Sequence, residues 1–470
     1  MKSPKSHRIF DSVFLEFISS PILNHDFEKL KEYLKLKSGD TDDFINNFLQ
    51  NSCFEVSPRK PVPLSPNKIS CNKTPVKKTY NEKFSFKSSS DETIPMFFPV
   101  RNDDDRSILI SLYRSTDVLD LKSLENVLVK YLNIPSFFTI PFMNFLGGSD
   151  DMGIRYSKFL EFSIQRLECF EFHERIFNLL LGNNRRNYLI HDDFILYIDS
   201  LIKEHKSLEF LHGNRKCQEA FRECIIARIF FELDPEMRGR ITLSRFVNSN
   251  LCDCFIEVDS AEDISDIFDF FSYEHFYVIY TLFIEIDIED NGTITIDQLS
   301  TYDNNRIPYY LCERIVQQFP NAKEIEKLTI YEFTYFLIAV EDKTKETSLR
   351  LWFNSCDFDQ DGIISLHEMH ELYNEQKERM IDYDMEPIKF KYIFSELIDM
   401  FGDNIYKGFT MDQLREKQQW SVFFDIFVDI KKFNEREFQD PIYEQKNKLH
   451  TESMKKWDIF CDTEYQRLSV

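Results

Sequence analysis

The stretch Asp357-Phe358-Asp359-Gln360-Asp361-Gly362-Ile363-Ile364-Ser365-Leu366-His367-Glu368 decides how the rest of this sequence is interpreted. Its first, third and fifth positions are Asp357, Asp359 and Asp361, and its twelfth is Glu368. Calcium is a hard cation that takes about six to eight oxygen ligands, and the calcium loop of an EF-hand supplies carboxylates at these same positions. The spacing therefore predicts a calcium-binding loop, named the Asp357 loop below.

The rest of this segment agrees with that interpretation. Gly362 allows the sharp turn at the sixth position, the carbonyl of Ile363 is a predicted ligand, and Ser365 completes the shell directly or through water. Apolar residues at helical spacing lie before the loop at Leu349, Trp352, Phe353 and Cys356, and after it at Met369, Leu372 and Tyr373. The loop is thus expected to join two amphipathic helices.

A second loop of the same kind, the Asp287 loop, extends from Asp287 to Gln298. It keeps candidate ligands at Asp287, Glu289, Asn291, Thr293 and Gln298. A neutral amide at position twelve cannot supply the bidentate carboxylate, so the EF-hand shape is expected here while calcium binding and a loop held by its own hydrogen bonds are both open. The Asp234 loop has Arg238 and Arg245 where ligands belong, which argues against metal there.

An apolar residue recurs between predicted helices, as it does at position eight of EF-hand loops, which pair through a short β-bridge. These residues are Ile154, Ile190, Ile241, Ile294, Leu328, Ile364 and Phe409. We expect Ile294 to pair with Leu328 and Ile364 with Phe409. An eroded pair of Ile154 with Ile190 would leave Ile241 without a mate. This repeat predicts an all-α fold, an elongated array of EF-hand and degenerate EF-hand units.

Composition narrows the function. The chain has 470 residues, 47 Phe but only 11 Gly, and a formal charge of −23, so packed helices are expected and nucleic acid is a poor partner. No apolar run reaches the length of a membrane span. No P-loop, nucleophile elbow or zinc-protease motif occurs, and Cys252, Cys254 and His275 are interpreted as ordinary core residues. A non-enzymatic protein is predicted.

The N-terminal part differs in composition from the rest. We divide the chain into a helical segment at 1–55, a basic disordered linker at 56–92, a docking strip with degenerate EF-hands at 93–255, an EF-hand domain at 256–430 and a tail at 431–470. Within the linker, Ser57, Ser65 and Thr74 each begin an [S/T]-P-x-K pattern that suits a proline-directed kinase. A charged tether that is not modified is the alternative.

The apolar strip at 94–99 contains Ile94, Phe97 and Phe98 between prolines. It could lie against the chain's own core or bind a partner. Both alternatives follow from its composition alone.

Long stretches of the sequence resemble the B-double-prime regulatory subunits of protein phosphatase 2A over roughly residues 94–470. The matching segments include Phe271–Tyr280, the Asp287 loop, Phe333–Ile338, Trp352-Phe353 with the Asp357 loop, Phe423-Phe424-Asp425 and Trp457–Phe460. Segments upstream also match, including Leu208–Leu211, Gly239–Thr242 and the strip at 94–99.

The resemblance implies a regulatory subunit that binds the scaffold and catalytic subunits and recruits phosphoprotein substrates, with calcium modulating assembly. It implies that Ile94, Phe97 and Phe98 contribute to scaffold binding. The cytoplasm is the expected compartment, with the nucleus or centrosome as further sites. A stand-alone EF-hand calcium sensor or adaptor is the alternative function.

Overall fold

The computed structural model describes residues 118–149, 152–167, 170–382, 385–402, 406–438 and 455–468. The strip at 94–99, the linker and its three [S/T]-P-x-K patterns lie outside these described residues, so the predictions made for them stay predictions. No helix in the described ranges is long and apolar enough to cross a membrane.

The described chain consists of helices joined by short loops, as the few glycines and many apolar residues predict. The first helices are Leu121–Asn126, Thr139–Phe145, Tyr156–Phe162, Phe172–Leu181, Asp192–Glu204, Arg215–Leu233, Leu243–Val247 and Leu251–Ser260. The next are Tyr273–Ile286, Ile296–Ser300, Tyr309–Val316, Pro320–Ile325, Ile330–Glu341 and Glu346–Cys356. The last are Leu366–Asp382, Phe390–Phe401, Met411–Lys417, Trp420–Val428, Ile430–Phe438 and Lys456–Leu468.

Strands occur in the described residues as four antiparallel pairs of two residues each. They are Val118–Leu119 with Ile154–Arg155, Tyr188–Leu189 with Ile241–Thr242, Ile294–Thr295 with Lys327–Leu328, and Ile363–Ile364 with Phe409–Thr410. The pairs Ile294 with Leu328 and Ile364 with Phe409 are those predicted. The all-α fold with EF-hand units is confirmed.

The predicted pair of Ile154 with Ile190 is wrong. Ile154 lies opposite Leu119, and Ile241 lies opposite Leu189, the neighbour of Ile190. The sequence around Leu119 carries no acidic ladder, so the predicted series did not include this position. Because loops pair in sequence order, omission of this first loop shifted the pairing by one unit and left Ile241 without its mate.

One core runs through the described helices, and aromatic side chains form much of it. Trp352 is fully buried, and its indole N–H donates to the carbonyl of Ala339 at 2.7 Å. The helix that enters the Asp357 loop is thereby fixed against the preceding helix. Cys252 and Cys254 are buried free thiols, and His275 is a buried core residue, as the sequence predicts.

The helix Lys456–Leu468 belongs to the segment that the sequence analysis treats as a tail. It packs on Tyr273–Ile286, the helix that enters the Asp287 loop. Trp457 meets His275 edge-on with ring centroids 6.1 Å apart, and Tyr465 meets Tyr277 at 5.5 Å. The C-terminal helix thus forms part of the same packed body as the first acidic loop.

Candidate calcium site

The Asp357 loop brings its three aspartates together. One carboxylate oxygen each from Asp357, Asp359 and Asp361 lies within 4.8 Å of the others. No other group of three or more His, Cys, Asp and Glu side chains meets this spacing in the ranges that the structure describes. Asp357 is buried, whereas Asp359 and Asp361 are exposed, so the cluster is anchored on one side and open to solvent on the other.

The backbone of the loop folds around these carboxylates. Gln360 and Gly362 have left-handed φ values of 59° and 85°. The amide of Gly362 donates to Asp357 Oδ2 at 2.9 Å, and that of Ile363 donates to Asp361 Oδ1 at 2.8 Å. These amides turn the carboxylates inward, which is the arrangement that a calcium loop requires.

Glu368 reaches back across the loop with both oxygens. Its Oε2 accepts from the amide and the hydroxyl of Ser365, at 2.7 and 2.8 Å, which caps the exit helix Leu366–Asp382. Its Oε1 accepts from the amide of Phe358. The second carboxylate oxygen of Glu368, Oε1, is therefore directed to the start of the loop, as a bidentate ligand at position twelve requires.

Concentrated negative charge makes the site unfavourable without a cation. Burial raises the pKa of Asp357, the charges of Glu368 and Asp361 raise it further, and the amides of Gly362 and Gln360 partly offset these effects. Hard oxygen donors in this number fit calcium, which the carboxylates, the Ile363 carbonyl and Ser365 would hold. The bound ion would neutralise the mutual repulsion of the carboxylates.

Arg314 is a residue of this site that sequence reasoning missed. Its guanidinium donates to the carbonyls of Ser355 at 2.6 Å and Asn354 at 3.0 Å, and also to the carbonyl of Asp357. It thus satisfies free carbonyls at the end of the entering helix Glu346–Cys356. A lone arginine about forty residues upstream carries no sequence signal for this role, because only the fold brings it there.

The partner loop approaches the Asp357 loop very closely at Gly408. A Cβ atom built at Gly408 would lie 2.5 Å from the carbonyl oxygen of Ile364, and φ is +80° at this position. Phe409, opposite Ile364, packs between Phe401 and Phe423, with ring centroids 4.9 and 5.4 Å away. Only glycine therefore fits at position 408, and the aromatic rings around Phe409 hold the next residue in place.

The Asp287 loop has the same backbone but a different twelfth position. Gly292 has a φ of 77°, and its amide donates to Asp287 Oδ2 at 2.7 Å. The single side-chain oxygen of Gln298 accepts from the amide of Thr295 at 2.9 Å. Gln298 therefore caps the exit helix as Glu368 does, but it has no second oxygen to direct into the loop.

The remaining candidate ligands of the Asp287 loop are tied to each other. The amide nitrogen of the Asn291 side chain donates to Glu289 at 2.9 Å, and the Thr293 hydroxyl donates to Asn291 Oδ1 at 2.6 Å. Lys216 approaches Asp290 at 3.5 Å. These hydrogen bonds match the alternative of a loop held by its own contacts.

The Asp234 loop shares the outline alone. Met237 and Gly239 have φ values of 53° and 67°, at the positions that Gln360 and Gly362 occupy in the Asp357 loop. Arg245, at position twelve, forms an ion pair with Glu236 at 3.4 Å. A cation occupies the place of the glutamate ligand, as the sequence analysis predicts.

Comparison with known proteins supports this architecture. Residues 171–261 match a family model described as an EF-hand domain, which covers the strand pair Leu189 with Ile241. A solved PP2A PR70 holoenzyme contains a chain that is 30% identical to this one. The two align with a TM-score of 0.52 over 56% of this chain and 97% of that one.

Curated relatives extend the match. A probable B''delta regulatory subunit of serine/threonine protein phosphatase 2A from Arabidopsis thaliana is 30% identical over 395 residues, 81% of this chain and 73% of the relative. The B'' alpha regulatory subunit from Homo sapiens is 29% identical over 346 residues, 73% of this chain but 30% of the relative. These relatives are regulatory and not catalytic subunits, which confirms the prediction of a non-enzymatic role. The chain belongs to the B'' family of protein phosphatase 2A regulatory subunits.

Proposed function

We propose that this chain binds the scaffold and catalytic subunits of protein phosphatase 2A and recruits phosphoprotein substrates to them, with calcium at the Asp357 loop modulating assembly. Membership of the B'' family and the likeness to a chain of a PP2A holoenzyme support the partners. The observation that carries the calcium proposal is the convergence of Asp357, Asp359 and Asp361 with Glu368 directed toward the same loop.

Calcium would act by joining two helices. Asp357 ends the entering helix Glu346–Cys356, and Glu368 lies in the first turn of the exit helix Leu366–Asp382. An ion held by both residues would fix the angle between these helices. The result is a stiffer binding surface with no chemistry of its own.

The exit helix extends this effect beyond the loop. Gln376, on that helix, donates to the carbonyl of Ile426 at 3.4 Å, and Arg379 donates to the carbonyl of Asn305. Asn305 follows the exit helix of the Asp287 loop. Order at the Asp357 loop can therefore reach helices on both sides of it.

The Asp287 loop would be the weaker of the two sites. Asp287, Glu289 and Asn291, with the Thr293 carbonyl, could hold an ion, but Gln298 supplies at most one neutral oxygen. Calcium affinity in EF-hands depends on the number of charged ligands. We therefore expect the Asp357 loop to fill first.

Two measurements on the full chain test the proposal. Calorimetry with calcium should give a binding event that Glu368→Ala removes, and persistence of the same event in that variant would contradict the site. Purification of the tagged chain from native extract should yield scaffold and catalytic subunits in stoichiometric amounts. Recovery of the chain without them would favour a stand-alone calcium sensor.

A repeat of the purification in calcium and in chelator tests modulation separately. The expected result is tighter association with both subunits in calcium. Equal association in the two buffers, with intact calorimetric binding, would leave the site in place and refute the coupling.

A further inference from the structure

An open cleft lies where the exit helices of the two acidic loops approach each other. Its volume is about 570 Å³, and its lining includes Ser300, Asn305, Tyr309, Glu375 and Arg379. Ser300 ends the exit helix of the Asp287 loop, and Glu375 lies on the exit helix of the Asp357 loop. The cleft therefore touches both calcium-loop units, and neither acidic loop forms its lining.

Asn304 and Asn305, which line the cleft, belong to a turn with an uncommon backbone conformation. Three successive residues, Asp303, Asn304 and Asn305, have φ values of 47°, 60° and 60°. Left-handed φ values are rare outside glycine, and a run of three persists only where surrounding contacts hold it. Arg306 and Lys431 donate to Asp303 at 3.3 and 2.9 Å.

Arg379 completes this support. Its guanidinium donates to the carbonyl of Asn305 and to Gln376 at 2.9 Å. The positive charge of Arg379 is therefore used to hold the turn in place. A preformed cleft of this kind binds a partner with little loss of conformational entropy on its own side.

Glu375 is the unusual group in the wall. Its carboxylate is half-buried, and no described residue forms an ion pair or hydrogen bond with it. Burial raises the pKa of Glu375, the charge of Glu378 raises it further, and the charge of Arg379 partly offsets both. A cation placed beside this partly desolvated carboxylate would stabilise its ionised form through a charge-assisted hydrogen bond.

An exposed aromatic ring lies in the same cleft. Tyr309 follows Pro308 and is 49% exposed, so one face of its ring is accessible from the cleft. Asp297 and Glu313 lie close enough to Tyr309 that their charges raise its pKa, Asp297 the more strongly. The surroundings of the ring are thus negative, and a tyrosine face together with carboxylates is the chemistry that binds a cationic side chain.

We propose that this cleft binds a lysine or arginine side chain of the phosphatase core, the dimer of scaffold and catalytic subunits. Glu375 is the counter-ion and the ring of Tyr309 is the wall against which the side chain packs. The inference rests on the proposed function for the identity of the partner. Charge complementarity carries it. The carboxylate of Glu375, with those of Asp297 and Glu313 near the ring, outnumbers the one cationic side chain in the part of the lining that the structure describes. That side chain, Arg379, already donates to the Asn305 carbonyl and to Gln376.

The test measures binding of the full chain to the purified scaffold–catalytic dimer by surface plasmon resonance, at constant calcium. Glu375→Gln should raise Kd about tenfold, as expected for loss of one partner of a partly buried charge pair. Glu416→Gln removes the same charge from an exposed residue outside the cleft and should leave Kd unchanged. Binding of Glu375→Gln should also depend less on salt.

Two variants of Tyr309 examine the ring separately. Tyr309→Phe keeps the ring and should bind as the unmodified chain does, whereas Tyr309→Ala should raise Kd several-fold. Tyr309 is exposed and Glu375 is half-buried at the wall of an open cleft, so the variants should fold. Circular dichroism and an unchanged calcium titration would verify this.

The outcomes separate the two proposals. If the unmodified chain binds the dimer and both Glu375→Gln and Tyr309→Ala bind equally well, the cleft is not the contact and the proposed function stands. If the unmodified chain does not bind the dimer, the proposed function fails and this inference fails with it.

Discussion

Arg306 and Asp429 are separated by 123 residues in the sequence and form a bidentate ion pair in the interior. Arg306 Nε and Nη2 donate to the two oxygens of Asp429, each at 2.8 Å. Arg306 also donates to Glu341, and Lys343 donates to Asp429 at 2.6 Å. This Arg306 cluster joins the segment after the exit helix of the Asp287 loop to the end of the helix Ile330–Glu341. It also reaches the junction between the helices Trp420–Val428 and Ile430–Phe438, where Asp429 lies.

Arg306→Met should destabilise the fold strongly. Arg306 is 1% exposed, so the substitution leaves Glu341 without its buried positive charge and removes two hydrogen bonds from Asp429. Breaking such a buried pair costs about 3 to 5 kcal/mol in free energy of unfolding. Urea denaturation measures this loss. Arg415→Met, which breaks a more exposed pair with Glu346, should cost less than about 1 kcal/mol.

Gln298→Glu should strengthen calcium binding at the Asp287 loop. The new side chain keeps the oxygen that caps the helix at Thr295 and adds a charged oxygen that can face the loop. Calorimetry should then resolve a binding event at this loop, separate from that of the Asp357 loop and tighter than any at the unmodified Asp287 loop. Glu368→Gln makes the reverse change in the Asp357 loop and should weaken the first event. An unaltered titration for Gln298→Glu would show that position twelve does not limit this loop.

Gly408→Ala should destabilise the paired loops. The new Cβ would lie 2.5 Å from the Ile364 carbonyl oxygen, in addition to the strain of a positive φ. We expect a loss of roughly 2 to 4 kcal/mol, together with weaker calcium binding. Gly239→Ala is the matched control, because it has a φ of +67° and no atom within 4 Å of the added Cβ. It should cost only about 1 kcal/mol.

His191 predicts a pH dependence of stability. Burial alone lowers the pKa of His191, but its hydrogen bond to Glu223 at 2.7 Å and the charges of Glu223 and Asp192 raise it above the usual value. Because its pKa is raised in the folded state, protonated His191 stabilises the fold at pH values below the pKa of the unfolded chain. This stabilisation is lost as pH rises through the folded-state pKa.

The substitution His191→Gln isolates this contribution. The unmodified chain should exceed the variant in free energy of unfolding by more at about pH 5.5 than at about pH 8.5. The reason is that protonated histidine pairs with Glu223. Urea titrations at the two pH values measure it. A difference that does not change with pH would rule out the ion pair as its source.

Much of the candidate site follows from the sequence because its chemistry is local. The candidate ligands of the Asp357 loop lie within twelve consecutive residues, so their spacing alone brings them together once the loop turns at Gly362. The capping serine, Ser365, and the candidate ligand Glu368 lie in the same segment. The partner positions Leu328 and Phe409 were also predictable, since loops of a pair alternate with helices of ordinary length.

Only the tertiary structure decided the contacts between distant segments. The pairing of Leu119 with Ile154 was missed because the first loop has no ligand pattern. Arg314 over the carbonyls of the entering helix, the Arg306 cluster and the cleft lined by Glu375 and Tyr309 each combine residues from segments that are far apart in sequence. A charged side chain in an amphipathic helix has the same local pattern whether it faces solvent or another helix, and packing alone distinguishes the two.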